Sequence, residues 1–179
     1  MQTGQDRRGA VRGRLLGGVR LFLLSALLLA GVGAIGHLIG WVALTTTLGP
    51  TAYLLLAHPE SVQARLRGAV TGHALAVAVG LACLAVFGLW SHPSIAEQQQ
   101  DTVRQIGAQA VAVGLTLFLL HVCDAHHPPA AATALLISSG ISRPGPPLYG
   151  MLTGLALVLA IAPVLAAATS RWAQRENAG

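Results

Sequence analysis

Between Leu21 and Pro59 the chain carries no Asp, Glu, Lys or Arg. That stretch is too long for a single span, because about 20 apolar residues cross a hydrocarbon core about 30 Å thick. It breaks at Gly49 and Pro50, a pair that punctuates helices. The pattern therefore predicts a first helix over residues 21–40 and a second, interrupted segment over residues 41–57. A third apolar run covers residues 68–90. A polar loop with Glu97, Gln98, Gln99, Gln100 and Asp101 follows, and then a fourth run over residues 103–122. Residues 126–139 form a short apolar segment opened by two prolines, and residues 148–170 form the last helix. The expected fold is an all-α polytopic membrane protein with four long transmembrane helices and two short Gly/Pro-interrupted segments. Residues 1–20 read as a basic N-terminal tail, 21–170 as one transmembrane domain and 171–179 as a C-terminal tail.

An internal repeat fits this division. A shift of 82 residues places Thr51 and Ala52 on Thr133 and Ala134, and Leu54 on Leu136, without a gap. The same shift places Gly68, Thr71 and Gly72 on Gly150, Thr153 and Gly154. The repeats would be residues 21–90 and 103–170, each a helix, a broken short segment and a helix. Two topologies stay open. If the short segments cross, there are six spans and Arg65 and Arg67 lie on the side of both termini, as the positive-inside rule favours. If they re-enter, there are four. Length favours the second, since residues 126–139 reach only about 21 Å as a helix.

Composition strengthens the membrane assignment. Only 9% of residues are charged, against about 25% in soluble domains, too few to cover a water-facing surface. All the positive charge is arginine, and it clusters outside the apolar stretches. The high basicity therefore reads as membrane topology, with both termini cytoplasmic in a multi-pass cell-membrane protein, and not as nucleic-acid binding. Aromatic residues, at 4%, are too few for base-stacking surfaces. Arg7, Arg8, Arg12, Arg14 and Arg20 resemble the charged region of a signal peptide, but the apolar stretch runs too far and reads as a retained helix. Cys83 and Cys123 make neither a disulfide framework nor a zinc spacing, and both read as packing residues.

Two segments carry candidate chemistry. Asp124, His126, His127, Pro128 and Pro129 lead into an alanine-rich run containing Thr133. Proline suits the start of a helix, where its missing N–H is not needed. In the first half, Thr45, Thr46, Thr47 and Gly49 lead into Pro50 and Thr51. Helix N-termini present free N–H groups and about half a positive charge. Two such ends meeting near the membrane centre would favour a small anion. Thr47, Thr51 and Thr133 would add hydroxyl donors, and His126 and His127 would donate or carry a proton. His73 lies inside the third run, where an ionisable residue is a functional candidate. The expected substrate-binding set is thus His126, His127, Pro128, Pro129, Thr133, Thr47, Gly49, Pro50, Thr51 and His73. The opposing reading makes the prolines packing devices and the threonines backbone-bonded. His37, His58 and His92 read as interfacial. A haem or metal held by His73 and His121 lacks an accompanying carboxylate, so no cofactor is expected.

The run His127, Pro128, Pro129, Thr133, Ala134, Leu135 and Leu136 resembles the signature of the HPP family of integral membrane proteins. Leu48, Gly49, Pro50, Thr51 and Ala52 resemble that family's Gly-x-Ser/Thr-Ala stretch, and Gly72 with His73 its Gly-His pair. Order and spacing agree over roughly residues 40–165. One departure is Ala131, where many relatives carry glycine. The resemblance implies a helical domain usually described with four spans, and transport, since plant and cyanobacterial relatives are linked to nitrite movement. The leading expectation is a transporter or channel for a small anion such as nitrite. The alternative is a non-transporting scaffold or assembly subunit. A membrane enzyme is disfavoured, because no paired carboxylates, nucleophile elbow or phosphate loop occur. The bilayer and a small anion are the expected partners, and the small size of the chain points to a homo-oligomer.

Overall fold

The computed structural model describes residues 4–176, with side-chain surroundings for residues 9–169. The ends of both expected tails, residues 1–3 and 177–179, lie outside the described residues. The described chain is all helical. In order it forms α1 (Gly4–Ile39), α2 (Leu48–Ala57), a 3-10 turn (Val62–Ala64), α3 (Leu66–Val86), α4 (Ile95–Gln98), α5 (Val103–Val122), α6 (Ala130–Ser138) and α7 (Pro146–Glu176). Four helices, α1, α3, α5 and α7, are long and apolar enough to cross a membrane, and α2 is a shorter apolar helix. Large apolar side chains face outward on all four, among them Phe22, Leu27, Val70, Phe118 and Val164. An apolar exterior of this kind is suited to lipid, and the protein is an integral membrane protein.

Two boundaries differ from expectation. α1 begins at Gly4, so most of the basic tail is helical. Nothing in residues 4–20 interrupts it, for that stretch contains no proline. Thirty-six residues rise about 54 Å, so the arginine-bearing turns project beyond a core about 30 Å thick. α7 likewise continues to Glu176 through the expected C-terminal tail. At the other end of the bundle, the polar loop contains α4. Its start is a capping box in which Ser94 and Glu97 bond each other's backbone N–H, satisfying donors the helix leaves free.

The chain traverses the bundle six times. α1 leaves the arginine end and finishes at Ile39. Trp41 then stacks on Tyr149 at the start of α7, with ring centroids 5.6 Å apart. From there residues 41–57 run alongside α7. Val42 lies against Gly150, Ala43 and Leu48 lie against Gly154, and Leu55 shares a cavity wall with Pro163 and Ala166. The end of α2 returns to the arginine end, where His58 and Glu60 line a cavity with Arg14 and Arg20. Residues 126–140 make the opposite journey beside α3. His127 and Ala130 lie against Gly72, Ile137 against Gly80, and Gly140 against Ser94 in the far loop. Each short segment therefore runs lengthwise along the bundle, as a non-helical entry followed by a half-helix. Arg65 and Arg67 fall at the end that holds Arg20.

The packing partners follow a simple rule. α3 packs on α5 and α6, and α7 packs on α1 and α2. Each short helix thus lies against the long helix that closes the other half of the chain. The offset of 82 residues carries Gly72 onto Gly154 and Leu48 onto Ala130, and Gly72 meets Ala130 just as Gly154 meets Leu48. Hydrophobicity cannot drive helices together in lipid, so close approach of small residues does the work. At Gly154 an added Cβ would strike the carbonyl of Ala43 and lie 3.0 Å from Leu48 Cδ1. Glycine is what allows a non-helical backbone to lie directly on α7.

Candidate functional site

The starts of the two short helices meet. Thr51, in the first turn of α2, lies with its Oγ1 3.4 Å from Nε2 of His127, just before α6. His73 on α3 completes the cluster. Its Nε2 is 3.2 Å from Thr51 Oγ1 and its Nδ1 2.9 Å from Thr133 Oγ1. The two imidazoles stand edge to face with centroids 5.0 Å apart. Thr51, Thr133, His73 and His127 are all buried. His127 Nδ1 lies 2.8 Å from the backbone carbonyl of Gln63.

These contacts fix where the hydrogens sit. The Gln63 carbonyl can only accept, so His127 Nδ1 carries the proton and Nε2 of the neutral ring accepts. Thr51 is the hydroxyl within reach, and it donates to that nitrogen. Thr51 Oγ1 in turn accepts from His73 Nε2–H, which leaves His73 Nδ1 to accept from the Thr133 hydroxyl. The opposite tautomer of His73 would take the Thr51 proton and leave buried His127 Nε2 without a donor, at a cost of about 1–3 kcal/mol. One direction, Thr133 to His73 to Thr51 to His127 to Gln63, makes all four bonds.

Most of the expected residues converge here, and Gly49, Thr47 and His126 do not join the cluster. His73, Thr51, Thr133 and His127 form the cluster. Pro50, Pro128 and Pro129 line an adjacent groove of about 490 Å³ with Tyr53, Leu54 and Gln63. Gly49 is exposed on the first turn of α2 and lines a separate groove toward α1. Thr47 is buried at the N-cap position, where its side chain caps nothing, and its Oγ1 has no hydrogen-bond partner. His126 points away. It is exposed, and its Nδ1 pairs with Asp124 Oδ1 at 3.2 Å. Adjacent residues in a non-helical stretch face opposite ways, which separates it from His127.

Three details of the expected site change. Pro50 is the third residue of α2 and Pro129 is the N-cap of α6, so neither occupies the first helical position. The first N–H groups of α6 are not free: Ala130, Ala131 and Ala132 donate to the carbonyls of His127, Pro128 and Pro129. Ligand donors from this side must therefore be side chains. Depth is the third change. His73 is the eighth residue of α3, about 10 Å along the axis, so the cluster lies a third of the way in from the arginine end. At that end of the bundle lies a cavity of about 380 Å³ lined by Arg65, Arg67, Thr71, Asp124 and His126.

The Gln63 carbonyl carried no sequence signal, because every residue has one and only the fold brings this one to His127. Arg65 and Arg67 were legible as charges but not as the wall of a shared cavity. Cys123, expected as a packing residue, is exposed, whereas Cys83 is buried. No group of three or more His, Cys, Asp or Glu able to hold a metal ion occurs among the described residues.

Neither a curated protein nor a solved structure matches this chain. The chain matches the family described as HPP, transmembrane region, over residues 11–176, and it belongs to that family.

Proposed function

We propose that the protein passes a small anion across the cell membrane, with nitrite the first candidate, by way of the junction between α2 and α6. The observation that carries this reading is the 3.4 Å approach of Thr51 to His127, which brings two half-helix starts to one buried polar point. Broken helices meeting inside a bundle are the usual setting of transporter sites. The cavity at the arginine end supports the sign of the charge, since Arg65 and Arg67 outnumber Asp124 on its wall. No Asp or Glu takes part in the bonds of the buried cluster. Thr47 Oγ1, buried and unpartnered, is a further donor at the start of α2. The matching contacts of Gly72 and Gly154 support a duplicated origin for the two halves. In this reading Arg65, Arg67 and both termini face the cytoplasm, and a homo-oligomer completes the assembly.

The test is nitrite uptake into proteoliposomes, comparing the intact protein with a His127→Ala, Thr133→Val double variant. Flux above protein-free vesicles that the variant loses supports the reading. Absence of nitrite flux from the intact protein rejects it. A second reading has its own observation: the four bonds of the cluster are closed among its own side chains and the Gln63 carbonyl, as in a structural knot. A scaffold built around that knot passes no small anion and retains a stable partner in detergent.

A further inference from the structure

His73 and His127 are joined through one hydroxyl. Thr51 Oγ1 lies 3.2 Å from one ring and 3.4 Å from the other, and the ring centroids are 5.0 Å apart. A proton added to His73 Nδ1 turns that nitrogen into a donor toward Thr133 Oγ1. The Thr133 hydroxyl then turns its own hydrogen away from that nitrogen. A proton added to His127 Nε2 is received by Thr51 Oγ1, and the Thr51 hydroxyl turns in the same way. The three side chains thus form a path along which one proton can sit on either ring.

A second proton does not fit. Two imidazolium rings 5.0 Å apart, in a site closed to water, would repel strongly with nothing opposite to offset them. The surroundings supply no counter-charge. α6 has no titratable residue. On α5, Arg104 lies beside Gly88 at the far end and His121 is exposed. Tyr53 of α2 turns to His58, and Tyr149 of α7 stacks on Trp41. Arg67 of α3 lies with Arg65, Asp124 and His126 on the wall of the cavity at the arginine end, and Cys83 is ten residues further along α3. A single buried imidazolium is itself costly unless it is paired. A small anion arriving from the arginine-lined cavity is the pairing group the site lacks.

Resting on the transport reading above, we propose that the His73–Thr51–His127 assembly takes up one proton with each anion, so that passage is a proton–anion symport without net charge movement. The proton comes from water on one side, resides on a ring nitrogen beside the anion, and returns to water on the other side. No bond other than N–H is made or broken.

The experiment reconstitutes the full chain in vesicles holding a pH-sensitive dye, with nitrite outside and protein-free vesicles as the control for nitrous acid permeation. Coupled ligands usually alter each other's affinity about 5- to 150-fold. The half-saturating nitrite concentration should therefore fall at least about fivefold from about pH 8 to about pH 6. One proton should enter per nitrite, at a rate indifferent to an imposed membrane potential. His73→Gln and His127→Gln should each abolish the pH stimulation. Nitrite uptake that is voltage-driven, or that brings in no proton, overturns the symport and leaves the transport reading standing. Absence of any nitrite uptake overturns the transport reading. The proton assignment is then decided by nitrogen-15 spectra of histidine-labelled protein titrated with acid in nitrite-containing vesicles. One imidazolium shared by the two buried rings upholds it, and two or none overturns it.

Discussion

Thr51 and Thr133 stand 82 residues apart in the chain and bond opposite nitrogens of one imidazole, that of His73, at 3.2 and 2.9 Å. The two residues fall on each other under the 82-residue shift. His73 is not: its counterpart is Leu155. One ring from one half therefore joins matching hydroxyls from both. Stability should depend on the hydroxyls unequally. Thr51→Val strips a partner from both His73 and His127 and should cost at least about 1–3 kcal/mol. Thr133→Val removes a single bond and should cost less. Thr51→Ser should recover most of the loss, as read from unfolding in detergent.

His126 and His127 are neighbours with different surroundings. His127→Ala leaves a cavity in the core and deprives the Gln63 carbonyl and the Thr51 hydroxyl of partners, for an expected loss of about 2–4 kcal/mol. His126→Ala removes an exposed ring paired only with exposed Asp124. Its unfolding should stay within about 0.5 kcal/mol of the parent. Equal losses in the two variants would contradict the placement of His127.

Gly154 and Gly80 set the distance between each short segment and its long helix. An alanine at Gly154 meets the backbone of Ala43, which cannot swing aside, and one at Gly80 meets the side chain of Ile137. Both should destabilise by about 1–3 kcal/mol, with Gly154→Ala the more severe. Gly114→Ala, where nothing lies within contact distance, should be neutral or slightly stabilising. Unfolding of the three variants in one detergent provides the comparison.

The two cysteines report orientation. Cys123 is exposed beside Arg65 and Arg67, and Cys83 is buried in α3. A membrane-impermeant maleimide should label Cys123 from the side that holds both termini, and should leave Cys83 unmodified in the folded protein. In inside-out and right-side-out vesicles the labelling should be confined to the former.

Glu97 gives the far loop a pH dependence. Bonds from the Ser94 backbone N–H and hydroxyl, with the Arg143 guanidinium 3.4 Å away, hold its carboxyl below the usual glutamate range. A lowered folded value means that the loop is stabilised above the unfolded pKa of about 4.3. The contribution is lost as pH falls through the folded value. Amide exchange in residues 94–98 should accelerate on acidification below about pH 4. Ser94→Ala should shift that onset to higher pH.

Periodicity and composition were sufficient for the membrane class, for four long helices and for two interrupted segments. Apolar length is a local property, and the bilayer reads it residue by residue. The span expected at residues 103–122 matches α5 to the residue, and the structure adds the reason for its start, a capping box between Thr102 and Gln105. The family motifs and the paired glycines were legible for the same reason, as short patterns at constant spacing. Crossing or re-entry of the short segments was not legible. Length argued for re-entry, and the non-helical residues that carry each segment the rest of the way have no periodic signal. Nor did spacing along the chain separate His126 from His127, since one backbone turn sends them to opposite sides. Only tertiary packing decided that each half-helix lies on the closing helix of the other half. It also decided that His73 would fall between Thr51 and Thr133, because contacts between residues 60 and 76 positions apart are set by how helices approach, not by what neighbours whom in sequence.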